Sequence, residues 1–280
     1  MSYFEEKFAL VTGAGSGIGR ALAIELNRLG CNIWLTDINE ASINETALSL
    51  TNTAANHEIR VVDSGSPSAI ETLASEVNSD IGYLDIVINN AGVGLGATFE
   101  EMVMEDFKWL MDINFWGVVY GCKAFLPLVK QATRGHIVNI SSVFGMVSLP
   151  TVSAYNASKF AVRGFTESLR QELEGTSVHV CCVHPGGIDT NIARNSRGTI
   201  NDMSREEKAE KFKTVAKTSP ECAARKITKA IEKRKKRLLI GTDAHFISAL
   251  SRLFPVSYPR VLARLIPETE EIKKALNSSR

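Results

Sequence analysis

The sequence predicts an α/β protein built on a doubly wound parallel sheet. Three observations carry that expectation. Short apolar runs alternate with longer segments of helical period along most of the chain. Several runs are apolar throughout rather than at every second position, as strands are when helices cover both faces of a sheet. A glycine-rich turn leads from the first run straight into the first helical segment.

The strand candidates are 8–12, 32–36, 59–62, 84–88, 136–140, 178–183 and 238–240. Helical patterns lie between them at about 17–29, 40–50, 67–79, 105–130, 153–173 and 219–234. No repeat, low-complexity stretch or Pro/Gly-rich linker interrupts this order, so 1–241 reads as one domain. Residues 191–218 are polar, carry no strand and follow the sixth strand, where such a sheet has its ligand crevice. A mobile substrate lid and a plain surface helix-loop both fit them.

With 44% hydrophobic and 22% charged residues, the 280-residue chain has an ordinary globular composition. Its net charge of +1 gives no global field to draw nucleic acid. The acidic N-terminus lacks a targeting pattern, and no apolar run reaches the ~18 residues that span a bilayer. Cys31, Cys122, Cys181, Cys182 and Cys222 form no CxxC pair or metal spacing, and read as reduced thiols of a cytoplasmic protein. His57, His136, His179, His184 and His245 make no ligand cluster, so surface or strand-end packing is expected and no metal is assigned.

The first turn reads Thr12-Gly13-Ala14-Gly15-Ser16-Gly17-Ile18-Gly19. Its spacing is GxxxGxG, not GxGxxG. Glycines let the backbone approach a pyrophosphate, and the helix N-terminus offers free N–H groups to the anion. Gly13, Ser16, Gly17, Ile18 and Gly19 are therefore the candidate dinucleotide-binding residues. Asp37 ends the second strand 18 residues after Gly19, where a carboxylate would bind ribose hydroxyls and repel a 2′-phosphate. No basic residue stands at Ile38 or Ser16, so NAD(H) is preferred to NADP(H). Asp37 could instead cap the next helix, although Asn39 can supply that cap. Asp63 follows the third strand and suits either an adenine amino group or the turn at Ser64-Gly65.

Tyr155 and Lys159 stand four apart in a helical segment and so share a face. A tyrosine pKa near ~10 makes a poor base at neutral pH. A neighbouring ammonium would favour the phenolate.

Taken with Asn89-Asn90-Ala91-Gly92, Asn114, Ile140-Ser141-Ser142 and Pro185-Gly186, these motifs make the chain resemble the short-chain dehydrogenase/reductase family over about residues 5–240. The resemblance implies a Rossmann-type catalytic and cofactor-binding domain with a seven-stranded sheet in the order 3-2-1-4-5-6-7, and a homotetramer or homodimer. It implies Tyr155 as general acid/base and Lys159 as the group that lowers its pKa and holds the nicotinamide ribose. Ser142, 13 residues before Tyr155, would bond the substrate oxygen and is preferred to Ser141. Asn114 would anchor a proton-relay water. Asn90 would support the cofactor, and Pro185, Ile188 and Thr190 would hold the nicotinamide carboxamide.

Val143 to Pro150 is apolar and carries no Arg or Lys, which suits an uncharged, hydrophobic secondary alcohol or ketone. Arg194 and Arg197 could meet an anionic substrate, with a solvated lid face as the plainer reading. Residues 225–237 hold a local charge of +7, leaving −6 on the rest, and read as a solvated helix face. Without a stacking platform nearby, that helix is not expected to bind nucleic acid. The tail, 242–280, is amphipathic and should pack on the domain or a partner, with peripheral membrane contact as a secondary reading. The expectation is an NAD-dependent oxidoreductase acting on a secondary alcohol or ketone. An NADPH-dependent carbonyl or 3-oxoacyl reductase and a non-catalytic dinucleotide sensor are the alternatives.

Overall fold

The computed structural model describes residues 3–192, 194–198, 210 and 216–265. Its strands are β1 (Phe8–Thr12), β2 (Asn32–Asp37), β3 (His57–Val61), β4 (Ile86–Asn89), β5 (Gly135–Ile140), β6 (Val178–Pro185) and β7 (Arg237–Ile240). The helices are α1 (Gly17–Arg28), α2 (Glu40–Leu48), α3 (Pro67–Asp80), α4 (Met104–Met111), α5 (Gly117–Gln131), α6 (Ser153–Glu172), α7 (Pro220–Glu232), α8 (Thr242–Leu253) and α9 (Tyr258–Leu265).

The strands form one seven-stranded parallel sheet in the order β3-β2-β1-β4-β5-β6-β7. Alternate residues of the apolar runs serve opposite faces. Leu10, Trp34, Val87, Ile137 and Val180 pack with Leu73, Val77, Phe125, Val129, Val162 and Leu169 of α3, α5 and α6. Val11, Ile33, Ile88, Val138 and Cys181 pack with Leu22 and Leu26 of α1 and Ile227 and Ile231 of α7. Burying a side chain such as the fully buried Phe125 contributes about 2–3 kcal/mol. Both faces are therefore apolar, and the strands show no polar alternation.

The edge strand β3 departs from this pattern and is largely exposed. It also begins earlier than its apolar run, because His57 pairs with Ile33. Strand β4 begins later than its run, because the buried Asp85 accepts from the Phe8 amide at 3.0 Å and from Lys7 at 3.0 Å. Helix α7 buries Ala223, Ala224, Ile227 and Ile231, and its basic side chains face outward. Cys31, Cys122, Cys181 and Cys182 are buried thiols and Cys222 is half-buried. No described helix is long and apolar enough to cross a membrane, and no described His/Cys/Asp/Glu group could hold a metal ion.

His136 and His179 stack edge-on at 5.6 Å at the starts of β5 and β6. His184 lies fully buried near the end of β6. His57 and His245 are exposed. Strand order reverses between β1 and β4, the point at which sheets of this kind carry their ligand crevice.

Candidate active site

The glycine corner lies at the end of β1. Gly13 and Gly17 have φ values of +65° and +51°, a region that costs other residues a Cβ clash. Gly19 has no room for a side chain, since a Cβ would lie 2.0 Å from the Gly13 carbonyl oxygen. Ile18 and Gly19 belong to the first turn of α1, and Ser16 is its N-cap residue. The exposed Ser16 hydroxyl makes no capping bond. Arg20 fixes the loop from behind, donating to the Gly15 carbonyl at 2.6 Å and pairing with Glu45 at 2.9 Å.

Asp37 faces this corner. Its carboxylate accepts from the Gly15 amide at 2.9 Å and the Asn39 amide at 2.9 Å. Asn39, not Asp37, caps α2 by accepting from Ser42 N–H. A carboxylate has about four acceptor positions, so Asp37 keeps capacity for hydroxyls. Asp63 is exposed and accepts from the Gly65 amide at 2.8 Å, which is the turn role weighed above.

The end of β4 is tied to the corner by Asn90, whose Nδ2 donates to the carbonyls of Thr12 and Gly13 at 2.9 and 3.2 Å. Thr12 Oγ1 accepts from the amides of Asn90 and Ala91. Thr12 was not among the sequence candidates. It closes the β1–β4 junction, a tertiary role with no local motif.

The single helix expected at 105–130 is broken. A π-turn at Asp112–Trp116 separates α4 from α5. Such bulges are frequent at functional sites. Here it contains the fully buried Asn114, whose Oδ1 accepts from Val93 N–H at 2.7 Å and whose Nδ2 donates to the Val93 carbonyl at 3.0 Å and Ser158 Oγ at 3.3 Å. A Cβ on Gly92 would meet Asn114 Oδ1 at 3.2 Å and Lys159 Nζ at 3.4 Å, so these groups converge on one spot.

Ser142 caps a short 3₁₀ turn, Val143–Gly145, its hydroxyl accepting from the Phe144 amide at 3.1 Å, and it lies near enough to the Tyr155 phenol to lower its pKa. Ser141 turns away and donates to the Lys159 carbonyl at 2.8 Å. Lys159 is buried, with Nζ 3.1 Å from the Ile140 carbonyl and 5.7 Å from the Tyr155 ring centre. Burial pushes its pKa down to about 8. The expected lowering of the Tyr155 pKa does not hold in this state: burial pushes it up to about 12, against the smaller lowering effect of the nearby Ser142. The phenol therefore rests protonated.

Pro185 ends β6 opposite Ile240. The buried Ile188 forms a parallel bridge with Thr218, through bonds made by Gly187 and Asp189. Its own amide therefore points away from Thr218. Thr190 lies against the glycine corner, its methyl 3.0 Å from where a Gly17 Cβ would stand. Of the expected lid, 193, 199–209 and 211–215 lie outside the described residues. Arg197 does not face the cleft: it pairs with Asp106 at 2.8 Å, and its guanidinium lies 3.7 Å from the Trp109 ring centre.

Comparison with known proteins agrees with this architecture. Residues 7–201 match the short chain dehydrogenase family model. The chain is 41% identical over 267 residues to a Mycobacterium tuberculosis protein named SadH, described as an oxidoreductase, covering 94% of this chain and 96% of that one. It is 31% identical to the mouse dehydrogenase/reductase SDR family member 7B, covering 99% and 85%. A Burkholderia phymatum short-chain dehydrogenase/reductase solved with NAD superposes with a TM-score of 0.81 at 29% identity, covering 90% and 95%. The chain belongs to the short-chain dehydrogenase/reductase family of oxidoreductases.

Proposed function

We propose that this protein transfers a hydride between NAD(H) and a largely apolar secondary alcohol or ketone, with Tyr155 as general acid/base. The observation that carries this reading is the gathering of Tyr155, Lys159 and Ser142, with the buried Lys159 Nζ 5.7 Å from the Tyr155 ring centre and Ser142 near enough to the phenol to lower its pKa. The residues of the corner fit a dinucleotide. Gly13 and Gly17 adopt positive φ, Gly19 admits no side chain, the Ser16 hydroxyl is exposed, and Asp37 retains acceptor capacity. Two similar structures, from Burkholderia phymatum and Mycobacterium paratuberculosis, were solved with NAD. Asp37 favours NAD over NADP, since its charge would oppose a 2′-phosphate. Arg20, the nearby guanidinium, is already engaged by Gly15, Ser42 and Glu45.

When bound, the nicotinamide supplies or accepts the hydride. The residues of the chain handle the proton. In reduction, Ser142 holds the carbonyl oxygen while Tyr155 gives it the phenolic proton. Lys159, gathered with Asn114 at Gly92, is disposed to return a proton toward Tyr155, while Asn114 would anchor the water that links Lys159 to solvent. In oxidation the proton moves the other way, and positive charge at the site must first favour the phenolate. The Phe144 ring meets the Tyr155 ring edge-on at 6.1 Å, which gives the substrate side an apolar wall.

The decisive experiment follows NADH absorbance with a panel of ketones and secondary alcohols. Tyr155→Phe should lose turnover by at least ~100-fold and still bind NADH. Retained turnover would refute the assignment. The reading extends to a homodimer or homotetramer, supported by the exposed aromatic face of Trp116 and Phe160, with Trp116 stacked on Tyr120 at 5.9 Å. Sedimentation of the protein as a monomer at micromolar concentration would contradict that part.

A further inference from the structure

We propose that residues 242–265 form a clamp that fixes the spacing between the loop after β6 and the loop after β5, with Asp243 and Tyr258 as its positioning residues. The functional consequence rests on the reading that these loops hold nicotinamide and substrate. The clamp itself rests on three contacts.

The first contact is made by Asp243, in the opening turn of α8. Strands β6 and β7 are neighbours, so this turn stands beside the end of β6. Gly241, at φ +101°, turns the chain sharply there. The Gly187 amide donates to Asp243 Oδ2 at 2.7 Å. The carboxylate sits between two bare glycines: a Cβ at Gly186 would lie 2.1 Å from Oδ2, and one at Gly241 would lie 2.1 Å from Oδ1. The fit leaves no slack, and the bonded amide lies two residues beyond Pro185.

The second contact is made by Tyr258, at the start of α9. The Ser148 amide donates to Tyr258 Oη at 2.8 Å. Ser148 lies in a stretch without helix or strand, so no ladder holds its amide. The phenol supplies the missing partner. The third contact is apolar. Ala244 packs with Val143 and Met146, and Phe144, Leu239 and Ile247 join the same cluster. One short helical segment thus grips both loops, and a displacement of α8 would move them together.

Two consequences follow for the site. Asp243 governs how well the loop after β6 meets the cofactor. Tyr258 governs the width of the apolar slot opposite Tyr155, and so which ketone sizes enter.

The test uses the full chain. In Tyr258→Phe, hydrogen–deuterium exchange in peptides spanning 146–152 should rise at least about fivefold, with β5 unchanged. The ranking of ketones by bulk should shift while KM for NADH stays constant. In Asp243→Ala, NADH affinity measured by tryptophan fluorescence should fall about tenfold. Asp243→Asn keeps an acceptor oxygen and should restore most of it. Unchanged exchange in Tyr258→Phe, or an Asn variant no better than Ala, overturns the clamp. If the unmodified chain reduces no ketone, the redox reading falls while the exchange result still decides the clamp.

Discussion

The imidazole of His184 holds the backbone of Ser142, with Nδ1 3.0 Å from the Ser142 carbonyl oxygen and the ring wholly buried. A carbonyl only accepts, so Nδ1 carries the hydrogen and Nε2 is a bare lone pair. Burial pushes this histidine down to about 4, so the neutral ring is the resting form.

Loss of that bond should loosen the serine without touching the cofactor corner. His184→Leu is expected to lower kcat about tenfold or more, because small misplacements of a bonding group are costly. KM for NADH should stay within twofold of the parent (about the scatter of such measurements). Steady-state kinetics with NADH and one good ketone would check this. An unchanged kcat would mean that Ser142 does not depend on the ring.

Asp37 should decide the cofactor. Asp37→Ser removes the charge that opposes a 2′-phosphate, while the hydroxyl can still accept from the Gly15 amide. The NAD/NADP ratio of kcat/KM should fall by at least ~10-fold. A constant ratio would move the discrimination elsewhere.

Gly19→Ala is a test of steric fit. A Cβ there collides with the Gly13 carbonyl oxygen and comes within 2.5 Å of Asn90 Nδ2. The corner would have to open, and NADH binding should fall by at least ~10-fold together with a lowered melting temperature. Fluorescence titration and thermal melts give both numbers.

Stability should drop as the solution is acidified. Burial holds His136 near 3 and His184 near 4, and it also lowers His179. The unfolded chain, with histidines near ~6.5, takes up protons first as pH falls. These rings therefore contribute stability above that value and lose it progressively below. Between pH 7 and pH 5 the loss for His136 or His184 is about 2 kcal/mol per ring. Urea midpoints at the two pH values would measure it, and His136→Phe should reduce the difference.

The strand runs and the glycine corner were legible because both rest on local chemistry. Leu10 and Val11 are both apolar because each faces a different helical layer. Asn39 declared itself as a cap through its position before Glu40. Tyr155 and Lys159 share a helix face by their spacing, whereas their roles and that of Ser142 come from the family resemblance. Other features were not legible, because their partners are remote in sequence. The π-turn at Asn114 leaves no periodic signature in an amphipathic segment. In sequence, His184 reads as strand-end packing, because the Ser142 carbonyl it meets lies 42 residues away. The upward shift of the Tyr155 pKa depends on burial, which spacing does not reveal.

The Thr190 side chain occupies the space that any side chain at Gly17 would need, its methyl 3.0 Å from that Cβ position. The loop after β6 leans toward the glycine turn at this point. Any side chain at position 17 would drive the two apart, so a residue with none sets how near these two lips can stand.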